Sequence, residues 1–190
     1  MPLTRPNFSR RAHSGLFLYY LRMRILPRLL LIGAFLCSGS AAIAHQPVEL
    51  KPSDRTPIAG PLLVDGTVSF ALTMKFTKAK QVRAFRARLK EGDSLALQLL
   101  IYDENPEKRL TNKQLPLLRV TSPNGGVFTL PITERTPFYE PWGKRNYLYL
   151  GRSTQIAEEG IYSFEVISRS PGRFIVAVGE REVPGEVQRK

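Results

Sequence analysis

The chain has 190 residues, with 28 Lys and Arg against 16 Asp and Glu, a formal net charge of +12 and 43% hydrophobic side chains. A compact domain takes about 100–200 residues, so the length accommodates one. The composition excludes a wholly disordered chain and a many-span membrane protein. One Cys and two His exclude zinc fingers, disulfide scaffolds and most His-based metal centres.

Residues 1–44 read as a signal peptide. Arg24 and Arg28 supply a cationic start, Leu29 to Cys37 an apolar stretch, and Ala42-Ile43-Ala44 a small-x-small cleavage signal. The apolar stretch is shorter than the roughly 20 residues that span a bilayer. The expectation is cleavage between Ala44 and His45, leaving no stable membrane span; an uncleaved anchor is the alternative. Residues 1–22 make a long n-region, and Met23 offers a second start. Leu36 before Cys37 disfavours lipidation, and His13 disfavours a twin-arginine signal at Ser9-Arg10-Arg11. The expected destination is secreted, periplasmic or cell-surface.

Residues 1–44 hold six Arg and no acidic residue, so the 28 bases fall to 22 against 16 acids, a net charge of +6. Those charges form no block, which argues against nucleic-acid binding and leaves mild attraction to anionic cell-wall polymers or lipid headgroups. The chain beyond residue 44 has no Cys, so its stability must come from a packed core.

After an extended segment at 45–65, residues 66–182 read as short strands divided by turns. Val68, Phe70, Leu72, Met74 and Phe76 alternate with smaller or polar residues, the period of a half-buried strand. Phe85, Ala87 and Leu89 repeat the pattern before the turn Glu91-Gly92-Asp93. Residues 94–102, SLALQLLIY, are apolar enough for a central strand. Residues 103–114 read as a polar loop with one helical turn. Leu117 to Thr121, the turn Ser122-Pro123-Asn124-Gly125-Gly126 and Val127 to Ile132 read as a hairpin. Tyr147 to Gly151, Ile161 to Ser168 and Arg173 to Gly179 complete the set, and residues 183–190 form a basic tail. About eight strands at this spacing predict an all-β antiparallel β-sandwich, jelly-roll-like in architecture.

The order FRARL, KEGD, LALQLLIY, VTSPNGG, EEGIYSFEV, SPG and RFIVAVG resembles the secreted bacterial pre-peptidase C-terminal (PPC) type of β-sandwich over roughly 66–180. Arg135 to Leu150 departs from that pattern. The resemblance implies a non-catalytic secreted module of the kind often attached to enzymes.

Catalytic chemistry is sparse. His45 is the only His beyond residue 44, so a Ser-His-Asp triad would depend on the first residue after cleavage. A copper brace there would lack its second His. Asp103, Glu104, Asn105 and Glu107 offer calcium-type oxygens but lack EF-hand spacing, so a solvated loop is expected. Glu134 and Glu140 have the residue types of a glycosidase pair, with surface carboxylates the default. No enzyme activity, metal or cofactor is expected.

Residues 134–150, ERTPFYEPWGKRNYLYL, gather Phe138, Tyr139, Trp142, Tyr147 and Tyr149 beside Lys144 and Arg145. Pro137, Pro141 and Gly143 point to a loop. Its aromatic faces suit stacking on sugar rings or peptides, or else the loop covers the end of the sandwich and buries Trp142 and Phe138. The cost of leaving so apolar a segment in water favours the cover. The expected function is an exported binding module for a cell-envelope glycan, protein or surface polymer. The alternative is an assembly component of a surface complex, acting through sheet edges.

Overall fold

The computed structural model describes residues 45–141 and 143–189. The signal-peptide reading, Trp142 and Lys190 lie outside the described residues. Among those described are twelve strands: β1 (Gln46–Glu49), β2 (Leu62–Leu63), β3 (Phe70–Phe76), β4 (Val82–Leu89), β5 (Ser94–Tyr102), β6 (Leu117–Thr121), β7 (Val127–Thr129), β8 (Thr136–Glu140), β9 (Arg145–Ile156), β10 (Gly160–Ile167), β11 (Gly172–Val178) and β12 (Val187–Gln188). A 3-10 turn covers Glu107–Arg109, inside the expected polar loop. No helix among the described residues is long and apolar enough to cross a membrane.

The strands form two six-stranded sheets. The first has the order β1-β3-β11-β5-β9-β8 and the second β12-β2-β4-β10-β6-β7. The all-β sandwich expected from the alternation is therefore present, but with twelve strands rather than about eight, and not wholly antiparallel. β1 runs parallel to β3, and β2 parallel to β4. β1, β2 and β12 span two to four residues, too few to show a period. They bring the segments read as an N-terminal extension and a basic tail into the two sheets.

The expected loop at 134–150 is instead the hairpin of β8 and β9, paired from Thr136 with Tyr149 to Glu140 with Arg145. Pro137 is tolerated because β8 is a sheet edge, where a missing N–H breaks no inner ladder. The segment does not fold over the end of the sandwich. It widens the first sheet by two strands.

Alternation places the core where the sequence pattern put it. Phe70, Leu72, Met74 and Phe76 of β3, Leu97, Leu99 and Ile101 of β5, and Phe174, Val176 and Val178 of β11 are buried on the inner face of the first sheet. Phe85, Ala87 and Leu89 of β4, Tyr162, Phe164 and Val166 of β10, and Leu118 and Val120 of β6 face them from the second. Phe164 lies opposite Phe85 on one neighbour and Val120 on the other. The Phe85 and Phe164 rings stack with centroids 4.5 Å apart. Apart from β6–β7 and β8–β9, consecutive strands lie in different sheets, so the chain laces the two layers together.

The acidic loop is tied to the first sheet. Glu107 is 2% exposed and sits in the guanidinium fork of Arg173, which donates from Nε to Oε1 at 2.8 Å and from Nη2 to Oε2 at 2.9 Å. The Arg173 backbone N–H donates to the same carboxylate. Glu104 takes a further bond from Arg173 at 3.1 Å, and Lys108 pairs with Asp103. The loop is thus not uniformly solvated: its innermost carboxylate is a buried anchor. Hydrogen bonding from Arg173 holds Glu107 below the ordinary carboxylate range.

Two expectations follow for stability. Phe164→Ala removes the ring that joins three strands and should cost about 3–5 kcal/mol, read as a lower denaturant midpoint at unchanged slope. Glu107→Ala should cost about 2 kcal/mol, the scale of hydrogen bonds to a charged group. Because the folded-state pKa of Glu107 is depressed, its stabilisation is complete above its unfolded pKa and is lost as pH falls through the folded value. The variant should therefore show a flatter acid limb in stability against pH; an identical limb in both proteins would overturn the anchor.

Candidate functional site

The central strands of the first sheet are apolar on both faces. Leu100 of β5 and Ile175 and Ala177 of β11 point away from the core, yet are only 3–6% exposed. What covers them is aromatic: Phe138, Tyr147 and Tyr149, with Tyr102 and Ala71, pack into a second apolar cluster on this outer face. Phe138 lies 5.2 Å from Tyr149 and 6.5 Å from Tyr147, centroid to centroid, and Tyr147 lies 5.2 Å from Tyr102.

A bulge sets the facing of β9. Leu99 pairs with Gly151 but Leu100 pairs with Tyr149, so Leu150 is an extra residue in the ladder. Leu150 turns into the core. Tyr147 and Tyr149 stay on the outer face and Arg152 joins them, its guanidinium 4.6 Å from the Tyr149 ring centre. Gly151 makes the bulge fit, since a Cβ there would stand 2.1 Å from the Pro131 carbonyl oxygen.

Side-chain size then produces a groove. Its floor is Ala71 and Thr73 of β3, Ala177 and Ile175 of β11, and Gln98 and Leu100 of β5. Its flanks are His45 and Pro47 on one side, and Phe138, Glu140, Gly143, Tyr147 and Tyr149 on the other. Small residues mid-sheet between large ones at both margins leave a cavity of about 310 Å³, at the lower end of the range for ligand clefts. Its lining is mostly apolar, with His45, Thr73, Gln98 and Glu140 as the polar contributors.

Ion pairs brace both ends of the aromatic row. Arg152 donates to Glu134 through Nε and Nη2, each at 2.8 Å, while Thr136 donates to Glu134 as well. The Arg152 fork holds Glu134 below the usual carboxylate range. At the other end Arg173 lies 4.4 Å and Arg145 5.8 Å from the Tyr102 ring centre, and Arg145 pairs with Glu104 at 3.6 Å. Burial pushes the Tyr147 and Tyr149 hydroxyls above the ordinary tyrosine value, so both are neutral donors at physiological pH.

His45 shares a hydrogen bond between Nδ1 and the Ser69 hydroxyl. Burial lowers its pKa, against the opposing pull of Glu182 and Glu140. Ser69 is 2% exposed, and the contact fixes the imidazole at the groove margin. Glu134 belongs to Arg152, and Glu140 accepts the Gly143 N–H within the hairpin turn. Among the described residues no three His, Cys, Asp or Glu side chains come together to hold a metal.

Of the residues singled out from the sequence, Phe138, Tyr147 and Tyr149 meet in the groove, and Arg145 stands beside Tyr102. Tyr139 points from the other face of β8 and is 55% exposed. Lys144 sits in the hairpin turn with a left-handed φ of 51°. Sequence reasoning missed the floor and the far flank. The signal for the floor was present: LALQLLIY and RFIVAV are apolar at successive positions, the pattern of strands covered on both faces. Nothing comparable announces His45 and Pro47, which reach the groove only because β1 pairs in parallel with β3.

Compared with known proteins, the chain matches no family model and no curated protein.

Proposed function

We propose that this chain is an exported, non-enzymatic β-sandwich module whose outer-face groove binds a cell-envelope glycan. The observation that carries the reading is the row Phe138, Tyr147 and Tyr149 over an apolar floor, bordered by imidazole, amide, hydroxyl and carboxylate groups. A sugar ring has the matching duality: a C–H face that stacks on an aromatic ring and a perimeter of hydroxyls that exchange hydrogen bonds. The leader-like residues 1–44 support export. The likeness of the strand and turn order to PPC-type modules supports a non-catalytic role, as do the structural engagements of Ser69, Glu134 and Glu140.

Assembly through sheet edges is the weaker reading. β12 and β7 span two and three residues, and β8 contains Pro137. Short or proline-bearing edges are the usual devices that prevent strand addition.

The test is binding of the purified protein to isolated envelope polysaccharide, followed by the intrinsic fluorescence of Trp142, the sole Trp and the chain neighbour of the groove residue Gly143. Tyr149→Ala and Phe138→Ala should each weaken binding about tenfold, the equivalent of roughly 1.4 kcal/mol. Tyr139→Ala, on the opposite face of the same hairpin, should leave affinity and melting temperature unchanged. Equal affinity in Tyr149→Ala and the parent protein would sink the glycan reading.

A further inference from the structure

A second cavity, of about 320 Å³, lies where β3 turns into β4, lined by Pro52, Arg55, Lys78, Lys80, Gln81, Val82 and Arg83. Four of these side chains are cationic, and none of the four has a carboxylate within ion-pair distance among the described residues. The nearby acid, Asp54, is engaged elsewhere: it accepts the Lys51 N–H at 2.8 Å and pairs with Arg189 at 3.1 Å.

Arg83 is the unusual member. It is 4% exposed, with its guanidinium 5.2 Å from the Phe76 ring centre. Two of its nitrogens donate to the carbonyls of Val82 and Lys75, and its Nε is buried without a partner. Burial and the charge of Arg55 disfavour its ionised form, and the charge of Asp54 offsets this only in part. A desolvated cation facing further cations is costly unless an anion completes the set.

The turn carrying the lysines is held rather than loose. Gln81 Oε1 accepts from the backbone N–H groups of Thr77 and Lys78. The buried Ser168 hydroxyl accepts the Gln81 N–H and donates to the Lys78 carbonyl, and the Lys80 N–H donates to the Ser168 carbonyl. Lys80 adopts a left-handed φ of 63°, which costs a non-glycine residue energy and persists where the surroundings impose it.

We infer that this end of the sandwich is a binding site for a phosphate group, held by Arg55, Lys78 and Lys80 over the buried Arg83. Several cations around one cavity match an anion with more than one charge and several acceptor oxygens, and arginine is the side chain best shaped for such oxygens. The site shares no residue with the groove and does not depend on the glycan reading. Free phosphate and a lipid headgroup present the same chemistry to this site, and the experiment separates these sources.

The purified protein is titrated calorimetrically with inorganic phosphate and pyrophosphate, and co-sedimented with phosphatidylcholine vesicles with and without phosphatidic acid. Saturable binding to the soluble anions assigns free phosphate; binding only to the phosphatidic acid vesicles assigns a headgroup; either supports the site. Lys80→Gly should weaken the bound arm at least about fivefold while thermal stability holds or rises, because glycine suits the left-handed backbone. Arg55→Gln with Lys78→Gln should weaken it further, and Lys90→Gln, exposed just past the opposite end of β4, should not. No binding in either arm, or binding that Lys80→Gly and the double variant leave unchanged, overturns the assignment.

Discussion

The outer face of β5 and β11 is the constraint on which the arrangement of the first sheet depends. Leu100, Ile175 and Ala177 leave the core yet stay nearly inaccessible. Apolar area stabilises by about 25 cal/mol per Å² when removed from water, so two central strands that are apolar on both sides need a second cover. The opposite sheet supplies one. The β8–β9 hairpin supplies the other with Phe138, Tyr147 and Tyr149, and in doing so becomes the margin of a groove. The side chains that cover the outer face are therefore the ones that line the groove, and the cover lies on a sheet face rather than over the end of the sandwich.

That hairpin is usable only because β9 changes phase. A regular strand would carry Tyr147, Tyr149, Gly151 and Ser153 on one face and leave Arg152 on the other. With Leu150 inserted, Leu150 and Gly151 both face inward and Arg152 comes out beside Tyr149. The close approach of the Pro131 carbonyl restricts the position to glycine. One residue of slip thus gives the aromatic row a cation partner and, through Arg152, a tie to Glu134.

The parts of the fold that showed in the sequence were those with enough residues to display a period. β5 and β6 have the bounds read from the residues alone, and the inward sets on β3, β4, β10 and β11 follow their alternation. The parallel strands β1 and β2 were hidden because pairing between distant segments is not written in either segment. β8 was hidden for a different reason: Pro137 weighs against strand unless the strand is known to be an edge, and being an edge is a property of the whole sheet. The same holds for the sites. The tyrosines were visible as a cluster and β5 and β11 as unbroken apolar runs, whereas the depth of the groove depends on Ala71, Thr73 and Ala177 being small beside larger neighbours, a contrast across strands that has no signature in a linear sequence. Nothing in the linear sequence sets Lys78 and Lys80 apart; the fold brings them to one cavity with Arg55 and Arg83.

The groove is preorganised by its ion pairs. Tyr149 lies under Arg152, which is locked by two hydrogen bonds to Glu134. Tyr102 lies under Arg173, which is locked by the buried Glu107. Exposed ion pairs contribute little to stability by themselves, but here each guanidinium is held by a carboxylate while it rests on a ring, so the rings at the two ends of the row have restricted freedom before any ligand arrives. Ordering a mobile side chain on binding costs about 0.5–1.5 kcal/mol, and that cost is reduced for rings already held. For the glycan binding proposed above, this saving would give the charged residues around the groove a role that requires no contact of their own with the sugar.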